Sequence, residues 1–141
     1  MKKISIIYWS CGGAVETLAK HIKAVGVECG AEVLMKHVQE ASIDDVINAD
    51  AVALGSPVTD GDKIEQQEMQ PFVDALNELK NDGKKMMLFG SCGWNDATFI
   101  HKWAEKMTSY GFNVIGELPI KDSSTEDDFV KCTEFVRELI N

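Results

Sequence analysis

The sequence predicts an α/β fold in one domain over residues 1–141, a parallel sheet of five strands with helices on both faces. Three observations carry this. Short β-rich apolar runs alternate with longer amphipathic ones along the whole chain. The first, third and fourth runs are almost continuously apolar, as buried parallel strands are. No Pro/Ser-rich linker, internal repeat or low-complexity tract divides them.

"KISIIYW" (3–9) reads as a buried strand, followed by a helix from about 13 to 29 with Leu18, Ile22 and Val25 on one face. "AEVLMKHV" (31–38) is the second strand and "IDDVINA" (43–49) a short helix. "DAVALGS" (50–56) forms the third strand and runs into the loop "SPVTDGDKIEQQ". A helix over about 68–80 carries Met69, Phe72, Val73, Leu76 and Leu79. "KKMMLFGS" (84–91) is the fourth strand, ending in "CGWND". A helix near 97–110 stops at Gly111, "FNVIGELPI" (112–120) is the fifth strand, and "TEDDFVKCTEFVRELI" (125–140) the last helix. The acidic first turn of that last helix suits its dipole.

Composition narrows the functional classes. Apolar residues are 45% of the chain, as in a globular protein, and no apolar stretch reaches the roughly 20 residues of a membrane span. The opening "MKKISIIYWSC" has too short an apolar run for a signal peptide, so the expected location is the cytoplasm. Asp and Glu number 23 against 14 Lys and Arg, a net charge of −9 that disfavours nucleic acid and anionic lipid. Arg137 is the single arginine, which removes the usual bidentate clamp for phosphate. Cys11, Cys29, Cys92 and Cys132 form no CxxC pair, and no metal site is expected. His21, His37 and His101 read as solvated or capping residues.

In such sheets a ligand binds beyond the carboxyl ends of the strands, which gathers the loops 9–16, 56–66 and 91–97. The first offers backbone N–H groups from Cys11 to Val15 at a helix N-terminus, where partial positive charge favours an anion. The second, Thr59-Asp60-Gly61-Asp62, has the composition of a β-turn with Gly61 at its third position. The third, Ser91-Cys92-Gly93-Trp94-Asn95-Asp96, sets a tryptophan where a planar ligand could stack. A tyrosine-phosphatase reading of Cys11 needs an arginine six residues on, where Thr17 stands. A receiver-domain reading needs acidic residues beside the first strand, and "SIIYWS" has none.

Taken together, "YWS" at 8–10, "LG" closing the third strand, "PF" at 71–72, "LFGSCGW" at 88–94 and "CTEF" at 132–135 resemble a short-chain flavodoxin of the clostridial type over nearly the whole chain. The resemblance implies a three-layer, doubly wound sheet of strand order 2-1-3-4-5 and a bound FMN. The implied function is low-potential, one-electron transfer between redox enzymes, with no substrate turnover. By position it makes Ser10, Cys11, Gly12, Gly13, Ala14 and Val15 the phosphate loop. Val58, Thr59, Asp60, Gly61 and Asp62 would form the turn covering one flavin face, with Trp94 stacked on the other, and Ser56 and Pro57 would also belong to the cofactor site. Asp62 would accept the ring N3–H, and the backbone of Ser91, Cys92, Gly93, Asn95 and Asp96 would meet the pyrimidine edge. The Asp60 carbonyl would accept a hydrogen bond from flavin N5 on reduction. An acidic rim of Asp60, Asp62, Glu65 and Asp96 would dock basic surfaces of redox enzymes, with the protein a monomer.

The loop departs from the family pattern Ser/Thr-x-Thr-Gly-x-Thr at Gly12 and Val15, which remove two hydroxyl donors of roughly 1.5–3 kcal/mol each toward a charged group. A second reading therefore stays open: a flavodoxin-like domain that binds FMN weakly or not at all and serves as a binding, thiol-sensor or phospho-carrier module. Cys11 would be its reactive group, its thiol acidified by the helix N-terminus.

Overall fold

The computed structural model describes the chain except for residues 1, 11–12, 60–62, 93–96 and 122–124. Strands β1 (Lys3–Tyr8), β2 (Glu32–His37), β3 (Ala51–Gly55), β4 (Lys85–Ser91) and β5 (Asn113–Ile120) form one parallel sheet of order β2-β1-β3-β4-β5. Helices α1 (Ala14–Glu28) and α5 (Glu126–Ile140) cover one face. The short α2 (Ile43–Ile47), α3 (Met69–Ala75) and α4 (Thr98–Ser109) cover the other. The expected class, strand order and alternation are all present.

Burial follows position in the sheet. β3 is buried along its whole length, β1 from Ile4 onward, and β4 except at its two ends. β2 lies at an edge and alternates, leaving Leu34 exposed. Each face has its own core: Ile4, Ile6, Leu18, Ile22 and Val136 on the α1/α5 side, Ile7, Leu54, Leu88, Phe99 and Met107 on the other. Each such side chain contributes about 1.5–3 kcal/mol by leaving water.

Two helices are shorter than their apolar patterns suggest. The 68–80 pattern is α-helical only to Ala75, then tightens into a 3-10 turn over Leu76–Glu78. The Leu76 carbonyl is shared there by the Leu79 N–H and the Asn81 amide, each at 3.2 Å, and this turns the chain toward β4. The 43–49 pattern ends at Ile47, where the Lys84 ammonium donates to the carbonyls of Val46 (2.6 Å) and Ile47 (3.3 Å). Burial at that post pulls the Lys84 amine below the ordinary lysine range. Helix α4 closes at Tyr110 with Gly111 at φ +100°, a left-handed position that glycine adopts without a Cβ clash.

Gly90 is needed for another reason. A Cβ there would overlap the Ser56 carbonyl oxygen and crowd the Phe99 ring. This close approach of β4 to the end of β3 holds two of the ligand-end loops together.

Candidate functional site

The loops at the carboxyl ends of β1, β3 and β4 are stitched to one another by main-chain hydrogen bonds that continue the sheet. Trp9 N–H donates to Gly55 O at 3.0 Å, Ser56 N–H to Phe89 O at 3.1 Å, and Val58 N–H to Ser91 O at 2.9 Å. Cys92 N–H extends the pattern to Ile120 O at 2.7 Å. Ser10, Gly13–Val15, Ser56–Thr59, Ser91 and Cys92 thus share one end of the sheet. Cys11, Gly12, Asp60, Gly61, Asp62, Gly93, Trp94, Asn95 and Asp96 lie outside the described residues.

The first loop leads into a helix start without a side-chain cap. Gly13 is the N-cap of α1 and carries no capping hydrogen bond; its carbonyl receives the Thr17 N–H at 3.0 Å and the Thr17 hydroxyl at 3.1 Å. The N–H groups of Ala14, Val15 and Glu16 therefore point out of the helix with no acceptor among the described residues. A Cβ built on Gly13 would meet nothing within 4 Å. Converging amides and the helix dipole form a donor set suited to a phosphate or another anion. Thr17, considered as an added donor from the sequence, spends its hydroxyl on Gly13 instead.

Ser10 is held from outside the loop. His37, at the end of β2 and in register with Tyr8, places Nε2 3.2 Å from the Ser10 carbonyl. Its Nδ1 accepts the Gln39 N–H at 3.3 Å and so caps the 3-10 turn over Val38–Glu40. The Ser10 N–H also points at Nε2, at 3.2 Å, so the ring meets both main-chain groups of Ser10. The ring lies edge-on to Tyr8 at 5.6 Å and tilted to Trp9 at 6.1 Å. Trp9 in turn donates its indole N–H to Glu68 at 2.9 Å, and Gln39 donates to the same oxygen at 2.9 Å. Those two hydrogen bonds, aided by the nearby His37, hold the Glu68 carboxyl below the usual carboxylate range. Tyr8, buried and facing Glu16, has its phenol pushed up, first by burial and then by that carboxylate.

The second loop is closed by a short antiparallel bridge. Thr59 N–H donates to Lys63 O at 2.6 Å and Lys63 N–H returns to Thr59 O at 3.0 Å, while the Thr59 hydroxyl donates to Ile64 O at 2.8 Å. The base of this loop is therefore pinned at Thr59 and Lys63. Ser56 and Cys92 face inward. The Ser56 hydroxyl accepts the Glu65 N–H and donates to Pro57 O, both at 2.9 Å, and the Cys92 thiol donates to Ile120 O at 3.1 Å. What these two residues present to the loop cluster is backbone.

Glu65 corrects the expectation of an acidic docking rim. It is 6% exposed, and its carboxylate accepts N–H groups of Gln67 (2.9 Å), Glu68 (2.7 Å) and Met69 (2.8 Å). A carboxylate that caps α3 from within is not available to a partner; the other three rim residues lie outside the described residues. Sequence reading missed this cap and the His37 clamp for one reason. Both depend on which loop a polar side chain turns toward, and no local pattern encodes that. The usable signal for His37 was only that a parallel neighbour of β1 ends in a polar ring. Among the described residues no cluster of three or more potential metal ligands occurs, and no helix is long and apolar enough to cross a membrane.

Comparison with known proteins agrees with this geometry. The family model described as Flavodoxin matches residues 6–135. The flavodoxin of Clostridium beijerinckii is 31% identical over 138 residues, 98% of this chain and 99% of that one. That of Megasphaera elsdenii is 32% identical over 132 residues, 93% of each. The solution structure of two-electron reduced Megasphaera elsdenii flavodoxin superposes with a TM-score of 0.87 at 30% identity, covering 96% of this chain and 97% of that one.

Proposed function

This chain belongs to the flavodoxin family of FMN-binding electron carriers, and from that premise we propose that residues 10–16 hold the FMN phosphate. In the same reading residues 58–62 cover one face of the flavin, with Ser56 and Pro57 beside them, Trp94 stacks on the other, and the 91–97 backbone meets the pyrimidine edge. The observation that carries it is the start of α1 at the carboxyl end of β1, whose amides of Ala14, Val15 and Glu16 have no acceptor among the described residues. That donor set fits a phosphate even without the hydroxyls missing at positions 12 and 15, because main-chain N–H groups and the helix dipole need no particular side chain.

Bound FMN supplies the electron-transfer chemistry; the chain binds it, orients it and sets its surroundings. His37 fixes the Ser10 carbonyl and thereby the point at which the phosphate loop leaves β1. The Thr59–Lys63 bridge pins the base of the second loop; in this reading Asp62 would accept the ring N3–H and the Asp60 carbonyl would receive a hydrogen bond from N5. Val58 N–H on Ser91 O keeps the two walls at a fixed spacing. A net charge of −9 with a single arginine disfavours adding negative charge to the ring, which supports a low potential. The same charge supports encounters with basic surfaces of redox enzymes, by a cytoplasmic monomer with no substrate turnover of its own.

The test is a pair of fluorescence titrations of flavin-free protein, one with FMN and one with riboflavin. FMN should bind at least about tenfold tighter, the equivalent of roughly 1.4 kcal/mol from the phosphate. Equal affinities would remove the phosphate-loop assignment, and no binding of either would remove the site.

A further inference from the structure

The His37 ring meets more main-chain donors than it can satisfy. Gln39 N–H points at Nδ1 at 3.3 Å, Ser10 N–H points at Nε2 at 3.2 Å, and the Ser10 carbonyl lies 3.2 Å from the same Nε2. A neutral imidazole offers one N–H and one lone pair, so it cannot accept from both amides. With its proton on Nδ1, the ring accepts the Ser10 N–H and leaves Gln39 N–H and the Ser10 carbonyl without it. With its proton on Nε2, it bonds those two and leaves the Ser10 N–H over. The imidazolium carries a proton on Nε2 whichever neutral form precedes it, so protonation always frees that amide. The Gln39 N–H then loses its acceptor, but Gln39 is exposed and water can take over.

Ser10 N–H is the main-chain donor that follows Trp9, whose own N–H is taken by Gly55 O. An acceptor bonded to it at an ordinary length would lie no more than about 6 Å from Nε2. At that range an anion favours the charged form of an imidazole. The ring's other neighbours act with the same sign. Tyr8, edge-on at 5.6 Å, turns its hydroxyl toward Glu16 at 3.5 Å. Glu40 ends the 3-10 turn that begins beside His37, and Glu68 holds both the Trp9 indole and the Gln39 side chain. Lys36, the preceding residue on β2, is paired with Asp45 at 3.2 Å. The ring is therefore bordered by three carboxylates, with the adjacent lysine already neutralised.

We propose that His37 is a proton-linked positioning residue: it takes up a proton from water as FMN binds, releases the Ser10 N–H to the phosphate, and remains as a half-buried cation beside it. The inference rests on the phosphate-loop reading and adds a regulation to it, an FMN affinity that rises as pH falls through the imidazole range. By linkage, the proton and the phosphate strengthen each other's binding by one and the same factor.

The experiment follows the His37 ring by NMR across pH in the flavin-free, FMN-bound and riboflavin-bound protein, with its signals assigned by their loss in His37→Asn. FMN should raise the His37 midpoint by about one pH unit, a tenfold coupling, and riboflavin by less than about a third of that. In parallel, the ratio of FMN to riboflavin affinity should rise about fivefold from roughly pH 8.5 to pH 6.5 in the wild type. In His37→Asn, which keeps an N–H donor but does not titrate, it should change less than about twofold; the phosphate's own ionisation near pH 6 acts on both proteins alike. A midpoint that FMN leaves in place, one that riboflavin moves equally, or the same pH response in both proteins would each overturn the inference while the phosphate loop stands. FMN binding no tighter than riboflavin at either pH would remove the phosphate-loop reading and this inference with it. Should His37→Asn fail to fold, the wild-type midpoints decide alone, the ring being assigned through its contacts with Tyr8 and Trp9.

Discussion

Helices α1 and α5 pack side by side on the same face of the sheet, yet they begin in opposite ways. α5 closes its own N-terminus: the Thr125 hydroxyl accepts the Asp128 N–H at 3.2 Å, and the Asp128 carboxylate accepts the Thr125 N–H at 2.9 Å. Its first turn also carries Glu126, Asp127 and Asp128, which oppose any anion there. α1 begins at Gly13 with no side-chain cap, and the amides of Ala14 to Glu16 have no acceptor among the described residues. α3 is satisfied as well, by the buried carboxylate of Glu65. Strand order brings several helix starts to one end of the sheet; the presence or absence of a capping oxygen decides which of them can receive an anion.

The strongest way to break this contrast is to close α1. Gly13→Asp places a carboxylate before the open amides, in competition with the phosphate. FMN affinity should fall about 100-fold, a loss of roughly 3 kcal/mol, with riboflavin affinity little changed. An FMN titration like that of the wild type would show that those amides do not hold the phosphate. Opening α3 comes next. Glu65→Ala strands three backbone donors, Met69 N–H among them in a buried setting, and should lower unfolding stability in urea by roughly 2–4 kcal/mol.

Opening α5 is milder, since its N-terminus can turn to water. Thr125→Ala should cost about 1 kcal/mol in the same urea experiment and leave FMN affinity untouched. A drop in FMN affinity would mean that the two helix starts are not separate in function. His37→Ala releases Ser10 without touching the amides, and should weaken FMN about fivefold, near 1 kcal/mol. Riboflavin should respond less, and His37→Asn, which keeps an N–H donor, should recover part of the loss.

The smallest effect concerns α5's buried thiol. Burial pushes Cys132 up to about 12 from 9.0, so at pH 8 iodoacetamide should label exposed Cys29 well before Cys132, as read by peptide mass mapping. In the unfolded chain Cys132 ionises first, so between about pH 9 and 12 the unfolded state binds fewer protons and stability falls as pH rises. Cys132→Ala should flatten that part of the pH curve.

Much of the fold was legible because its signals are local. β1, β3 and β4 announce a buried sheet by continuous apolar runs, and Leu18, Ile22 and Val25 announce a helix by spacing. Helix ends were less legible: α3 stops at Ala75 because Asn81 takes the Leu76 carbonyl, a contact that forms only once the chain has turned. The site divides in the same way. Gly13 at a strand-to-helix junction could be read directly. Glu65 was read as a docking charge, and only its burial beneath α3 reveals a cap.

The sequence by itself determined the order of elements, the central strands and the family, because periodicity and short motifs are properties of neighbouring residues. Tertiary structure decided which polar groups remain free to act. Hydrogen-bond partners such as His37 for Ser10, Ser56 for Glu65 and Glu68 for Trp9 stand 27, 9 and 59 residues apart along the chain. Whether a donor is spent or spare depends on which of these distant groups the packing brings within about 3 Å. By that measure, among the described residues, the first amides of α1 and the indole of Trp103 are left over, while the Asp128 amide of α5 is not.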